Sequence, residues 1–376
     1  VKKLYFLLIF SVLFYSCTTI SLREGLNVNE SEDWLTIGRD AGKTNIAPLN
    51  TKLNPPFKLI WDYNAESGFG RNAFAVSDGV LFAGCLNGNV LAVNLKNGSG
   101  IGKAHTKSKA CFSNPLILKD CIIMTFSDGT MNYITSYDFR NGVFNWKYSS
   151  DRIMSSPLKK SDFIYYATLP GRILKVNIST GFQEVIYKNE DSYFTSPTLC
   201  GDLLLEGDIK GNMTALNCET GKLEWSFKTG DGIYSDVSVY NNKVFFGSDD
   251  KYFYCLDSAG SLLWKKYLDT KFLSSSAFYE DNVIISGING KVYSIGTSSG
   301  EINWEFTSGG AIFASPVLNN GKIFIGSFDM YFYCLDAKSG SVLWKYYLDD
   351  RIRTTAVIWK NLILVANDDK HIYCFK

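Results

Sequence analysis

The chain has 376 residues, with 38 Lys and Arg against 37 Asp and Glu, a formal charge of +1, 15% aromatic residues, 32 glycines and only 8 prolines. Charge this close to balance, without a basic run, argues against a nucleic-acid partner held through phosphate contacts. No low-complexity block marks a disordered protein, and aromatics mixed with glycine predict an all-β chain of short strands joined by tight turns.

The chain opens VKKLYFLLIFSVLFYSC: two lysines, an apolar run from Leu4 to Tyr15, then Ser16 and Cys17. These are the n-region and h-region of a secretory signal, and the run is too short for a membrane span. LFYSC is similar to a bacterial lipobox, with Phe14 and Tyr15 in place of the usual Leu and small residue. The expectation is a signal peptide over 1–16 and a lipidated Cys17; a plain cleaved signal with Cys17 incidental is the alternative. Residues 17–33, polar and without periodicity, then read as a tether, and 34–376 as one folded domain. Removing Lys2 and Lys3 with the signal leaves 36 basic against 37 acidic side chains.

The folded part is built from repeats. YFYCLDSAGSLLWKKYLD at 252–269 returns as YFYCLDAKSGSVLWKYYLD at 331–349. A Gly stands four residues before a Trp at Gly142/Trp146, Gly221/Trp225, Gly260/Trp264, Gly300/Trp304 and Gly340/Trp344, while Gly181 leads to Val185. Successive glycines are 39, 40, 39, 40 and 40 residues apart. Each period holds a Ser-Pro-like opening strand, an apolar strand, a Gly-Ser-x-Asp turn, an alternating strand ending in Leu-Asp, and the Trp strand. That is the content of one four-stranded propeller blade.

LFAGCLNGNVLAVNLKNGSG at 81–100 is a further copy, so seven periods run from about Asn72 to Asp349. TTAVIWKNLILVANDDKHIYCFK then supplies three strands of an eighth, and PFKLIWDY at 56–63 supplies a lone Trp61 strand. Joining the two closes a ring without an exposed sheet edge. The predicted fold is an eight-bladed β-propeller of four-stranded blades, closed by the N-terminal strand in the C-terminal blade and monomeric on its own. Trp61, Trp146, Trp225, Trp264, Trp304 and Trp344 recur once per blade, which predicts blade-to-blade docking rather than a convergent ligand cage. Cys255, Cys334 and Cys374 fall where Ala92 and Ala215 fall in sister repeats, so they read as small buried thiols and not as a disulfide framework.

The pattern small-Leu-Asp-x-x-x-Gly-x-x-x-Trp resembles the repeat of the pyrroloquinoline-quinone-like propellers, and DWLTIGRDAGKTN at 33–45 is similar to their lead-in. The resemblance implies the fold and admits both quinoprotein dehydrogenases and non-catalytic scaffolds. The dehydrogenases are known for an adjacent Cys-Cys pair, a calcium held by Glu, Asn and Asp, a catalytic Asp and large insertions. Here no two cysteines are adjacent and the 39–40-residue periods leave no room for insertions. His105 and His371, the only histidines, read as surface residues, and Asp257 and Asp336 of Leu-Asp as turn formers. No phosphate loop, Ser/His/Asp set or metal-spaced cluster is present, so no catalytic residue, cofactor or metal is expected.

A lipid-anchored, insertion-free propeller resembles the outer-membrane assembly factor BamB family. That resemblance implies a periplasm-facing outer-membrane scaffold whose partner is the BamA-type barrel insertase, docked on the loops leading into blades 4 and 5. Here these are 188–197 and 228–236, with Asp191, Tyr193, Phe194, Asp231, Tyr234 and Asp236 as candidate contacts, acidic groups beside aromatics being suitable anchors. Ordinary inter-blade turns are the other reading of these loops. Two other functions fit the same sequence: a quinone-binding or dehydrogenase-like periplasmic protein using Arg152, Lys271, Arg351 and Arg353 around the channel, and a surface lipoprotein binding glycan or peptide.

Overall fold

A computed structural model describes residues 19–48, 53–105, 110–127 and 132–376. Among them, 32 strands form eight four-stranded antiparallel sheets. Blade 1 spans Phe69–Ser77, Val80–Cys85, Asn89–Asn94 and Gly100–His105, and blades 2 to 7 follow in chain order. Blade 8 takes Val357–Trp359, Leu362–Ala366 and His371–Phe375 from the C-terminus and Leu59–Asn64 as its outermost strand, with Trp61 opposite Cys374. The predicted ring closure is therefore the observed one.

Burial follows strand by strand from the sequence. In blade 5, Lys243–Gly247 and the centre of Tyr252–Asp257 are buried on both faces, because each blade is covered by a neighbour on either side, whereas Leu262–Tyr267 alternates exposed and half-buried. The turn before Lys243 needs two left-handed residues for its tight hairpin, and Asn241 (φ 49°) and Asn242 (φ 57°) supply them. Asp257 and Asp336 are turn formers: the carboxylate of Asp257 accepts from the backbone N–H groups of Ala259 and Ser261, and that of Asp336 from Lys338 and Ser339.

The tryptophans dock the blades. Trp61, Trp146, Trp225, Trp264 and Trp304 each donate Nε1–H to a carbonyl of the following blade, at Leu95, Ile178, Ser258, Thr297 and Ala337, over 3.0–3.1 Å. Each indole covers the left-handed glycine of that turn. A Cβ on Gly300 (φ +68°) would stand 2.9 Å from Trp264 Cδ2, so the repeat's Gly-x-x-x-Trp links one blade's turn to the indole of the blade before. Trp344 meets the ring seam instead, edge-on to Phe57 at 5.1 Å and Phe375 at 5.5 Å. Opposite the indoles on the third strand stand Ala215, Cys255, Cys334 and Cys374, small buried residues as expected.

The segment expected as a tether is packed from its first described residue. Ile20 and Leu26 are buried against blades 1 and 2, and Tyr137 Oη donates to the Ile20 carbonyl at 3.0 Å. Blade 1 carries no Trp in its outer strand, and Thr19 and Ile20 lie over Gly102 and Gly142 in that place. The proposed signal and Cys17 lie outside the described residues.

Candidate functional site

The loops 188–197 and 228–236 lie side by side on one face of the ring, each leading into the innermost strand of its blade, Thr198–Cys200 and Ser238–Tyr240. Phe194 is 40% exposed and Tyr234 half-buried, and their rings are 5.7 Å apart across the blade boundary. Asp191 is half-buried and Asp231 exposed. Tyr193 is corrected: it is 1% exposed, pairs with Asp208 through an isolated bridge and packs on Leu158, Ile173, Leu204 and Leu216. Asp236 is corrected as well, being 2% exposed, so it offers its carboxylate to the protein's interior and not to a partner on the surface.

Asp236 belongs to a series. Asn72, Asn114, Ser156, Ser196, Asp236, Ser275, Ser315 and Thr355 hold one register position in the eight blades. The oxygens of Ser156, Ser196 and Asp236 accept from the backbone N–H of their counterparts one blade earlier, at 2.9, 2.9 and 3.0 Å, and Ser315 and Thr355 do the same at 3.1 and 3.0 Å. The polar residue of the Ser-Pro motif thus staples successive blades around the axis. Blade 5 alone has a carboxylate in this position.

Its counter-charge comes from outside the repeats. Residues 33–48 cross the end of the channel away from the loops, bonding through backbone atoms to Val76, Ile117, Leu199, Val239 and Leu318 of five different blades. Lys43, fully buried, runs up the channel; Nζ donates to the Ser196 carbonyl and to Asp236 Oδ1 at 3.2 Å. From the opposite mouth Arg71 Nη2 reaches Asp236 Oδ2 at 3.3 Å, with 24% of its side chain open. Burial works to raise the Asp236 carboxyl, but Lys43, Arg71 and the Ser196 N–H outweigh it and hold it below the usual range. Glu206, buried close by and accepting from Thr195, is pushed by burial from near 4.5 to about 8, against the pull of Lys43. Sequence reasoning missed Lys43, Arg71 and Glu206; the signal available for the first was the match of 33–45 to a lead-in, which contains it.

The cations named around the channel are mostly neutralised. Arg353 forms a two-pronged bond to Asp368 at 2.5 and 2.6 Å, Arg351 joins the same carboxylate at 3.4 Å, Lys271 pairs with Asp249 at 2.6 Å, and Arg152 is exposed. His105, on the outermost strand of blade 1, bonds Asn89, and His371, on the third strand of blade 8, bonds Asp62 of the outermost one. Cys85, Cys111, Cys255, Cys334 and Cys374 are buried free thiols whose pKa burial raises to about 12 or beyond, which keeps them unreactive.

Comparison with curated proteins returns no match. Among solved structures, BamB from Moraxella catarrhalis superposes with a TM-score of 0.73 at 16% identity, over 85% of this chain and 99% of that one. Quinohemoprotein alcohol dehydrogenase from Comamonas testosteroni gives 0.77 at 12% identity, over 93% and 81%. A europium-containing methanol dehydrogenase gives 0.76 at 13%, over 92% and 89%. At these identities the likenesses establish the propeller alone. The family model for outer membrane protein assembly factor BamB matches residues 188–376, half of the sequence and the part containing both loops. The chain belongs to the outer membrane protein assembly factor BamB family.

Proposed function

We propose that the protein is a non-catalytic envelope lipoprotein that works by binding, holding a BamA-type barrel insertase on the face formed by loops 188–197 and 228–236. One observation carries this reading: Phe194 and Tyr234, from neighbouring blades, form an accessible aromatic pair 5.7 Å apart, with Asp191 and Asp231 in the same two loops. Aromatic anchors with acidic neighbours fit a protein interface, and family membership supports a place in β-barrel assembly. Lipidation at Cys17 would hold the propeller at the outer membrane facing the periplasm.

The dehydrogenases of the same fold do not supply a better reading. Their adjacent cysteine pair has no counterpart here, and among the described residues no three His, Cys, Asp or Glu side chains stand together to hold a metal. The residues present do not fit quinone and calcium.

The test is co-purification of the insertase from detergent-solubilised membranes with a tagged full chain. Asp231→Ala with Tyr234→Ala is expected to lower recovery at least fivefold while costing stability only ~0.5 kcal/mol at exposed Asp231 and about 1 kcal/mol at half-buried Tyr234. Full recovery with that double variant overturns the docking surface. Quinone- and calcium-dependent dye reduction by the purified protein overturns the non-catalytic reading.

A further inference from the structure

The residue two places before each polar staple lies at the loop-side mouth of the channel. In blades 2, 3 and 4 it is Phe112, Met154 and Phe194, spaced by 42 and 40 residues and all at least partly open to solvent. The three line a cavity of ≈ 160 Å³ whose floor includes Arg71, Ser196 and Asp236. The mouth is thus an apolar crescent over a charged floor, on the same face as the docking loops.

The floor is short of negative charge. Lys43 and Arg71 share the single carboxylate of Asp236, and the buried Nε of Arg71 has no hydrogen-bond partner. Glu206 does not correct the balance, since burial keeps its carboxyl protonated at neutral pH. A buried guanidinium donor left unpaired is costly, and a carboxylate is the group that matches its geometry. The cavity is well below the roughly 300 Å³ at which small-molecule pockets begin, so it accommodates one side chain of a larger body and not a free cofactor.

We infer that the channel mouth is a second contact point for a polypeptide partner, taking the carboxylate of an Asp or Glu toward Arg71 while a neighbouring large apolar residue lies on Phe112, Met154 and Phe194. The inference rests on the reading of this face as a protein-docking surface and adds the chemistry of one recognised segment. Arg71 supplies the charge, and the apolar crescent excludes water from the pair, strengthening it.

The probes are an N-terminally fluorescein-labelled, C-terminally amidated peptide Ala-Leu-Glu-Phe-Ala-Ala, the same peptide with Gln for Glu, and 4-methylpentanoate as a free acid. Anisotropy with the full chain is expected to show the Glu peptide bound at least tenfold tighter than the Gln peptide, a preference erased by Arg71→Gln and by Met154→Glu. Met154→Glu alters a half-buried side chain at the rim, so it keeps the test decisive if Arg71→Gln does not fold. Equal binding of the two peptides, or a preference that survives Met154→Glu, overturns the inference. Displacement of the Glu peptide by 4-methylpentanoate at the concentration that half-saturates the peptide site overturns the polypeptide source in favour of free acids. In co-purification, loss of the insertase with the Asp231/Tyr234 variant but not with Met154→Glu overturns this contact and leaves the docking loops standing. Retention with both variants overturns the loops, while the anisotropy measurement still decides the mouth.

Discussion

The charge set at the axis makes a quantitative prediction about how residues 33–48 are held. Asp236→Asn removes the carboxylate that both Lys43 Nζ (3.2 Å) and Arg71 Nη2 (3.3 Å) contact, leaving Lys43 a buried ammonium bonded to the Ser196 carbonyl. Breaking a buried pair in this way costs about 3–5 kcal/mol; Arg71 loses its Asp236 contact as well, though the 24% of its side chain open to solvent lets water replace part of it at Nη2. Lys43→Met keeps most of the volume and takes away one cation, but Asp236 retains Arg71 and the Ser196 N–H, so the expected loss is about 2 kcal/mol, the size of one charged hydrogen bond. The double variant removes both charges together and is expected to cost about 2 kcal/mol less than the sum of the singles. Urea unfolding of the four proteins at constant slope measures the cycle. Limited proteolysis supplies an independent readout, since Lys43→Met is expected to speed cleavage within 33–48. Additive single effects, agreeing within about 0.5 kcal/mol, would refute the coupling, and an unchanged cleavage rate would show that Lys43 does not pin the segment.

Gly300→Ala and Gly201→Ala both force a Cβ onto a left-handed backbone (φ +68° and +61°), but only the first meets an indole, Gly201 having nothing within 4 Å. Gly300→Ala is expected to cost at least ~1 kcal/mol more in chemical denaturation, and equal costs would remove the case for glycine-on-tryptophan docking. Glu206 has a folded pKa of about 8 against an ordinary value near 4.5, so the folded state holds an extra proton between them and stability falls as pH rises through that window. Its share is about 1.4 kcal/mol per pH unit; Glu206→Gln should flatten the profile from pH 5 to 8, and an unaltered slope would contradict the assignment. Deleting residues 56–63 strips blade 8 of its outer strand and is expected to abolish one cooperative melt or drive association through the bared edge, so a monomer with an unchanged melt contradicts ring closure. Mass spectrometry of the mature chain is expected to find a lipidated Cys17 at its N-terminus; any other first residue sinks the anchor.

The fold was legible because its main determinants repeat. Gly-x-x-x-Trp, Leu-Asp and Ser-Pro each do one mechanical job per blade, so a period counted in the sequence is a blade counted in space, and the orphan Trp61 strand could be assigned to the far terminus by what it lacked. The stretch 17–33 was read as a tether for the converse reason. It has no period, and the burial of Ile20 depends on an absence elsewhere: blade 1 has no Trp, and Thr19 and Ile20 take that place over Gly142. Composition within the segment carries no trace of a vacancy in another part of the chain.

The site was half legible for a related reason. Aromatic and acidic residues drew attention to 188–197 and 228–236, but neighbouring residues in an extended segment face opposite ways, so Tyr193 is buried at 1% while Phe194 is exposed at 40%. Reading down the blades rather than along the loop separates the two sides. The position of Asn114, Ser156, Ser196 and Asp236 is polar and turned inward, and the position of Phe112, Met154, Phe194 and Tyr234 is apolar and turned to the mouth. In that alignment Asp236 stands out as the only acid in its column, and an acid in a buried column demands a cation from somewhere. Lys43, outside every repeat, meets that demand and so fastens the non-repeating segment into the repeating ring. Symmetry explains the scaffold; the chemistry that distinguishes this propeller lies where one blade breaks it.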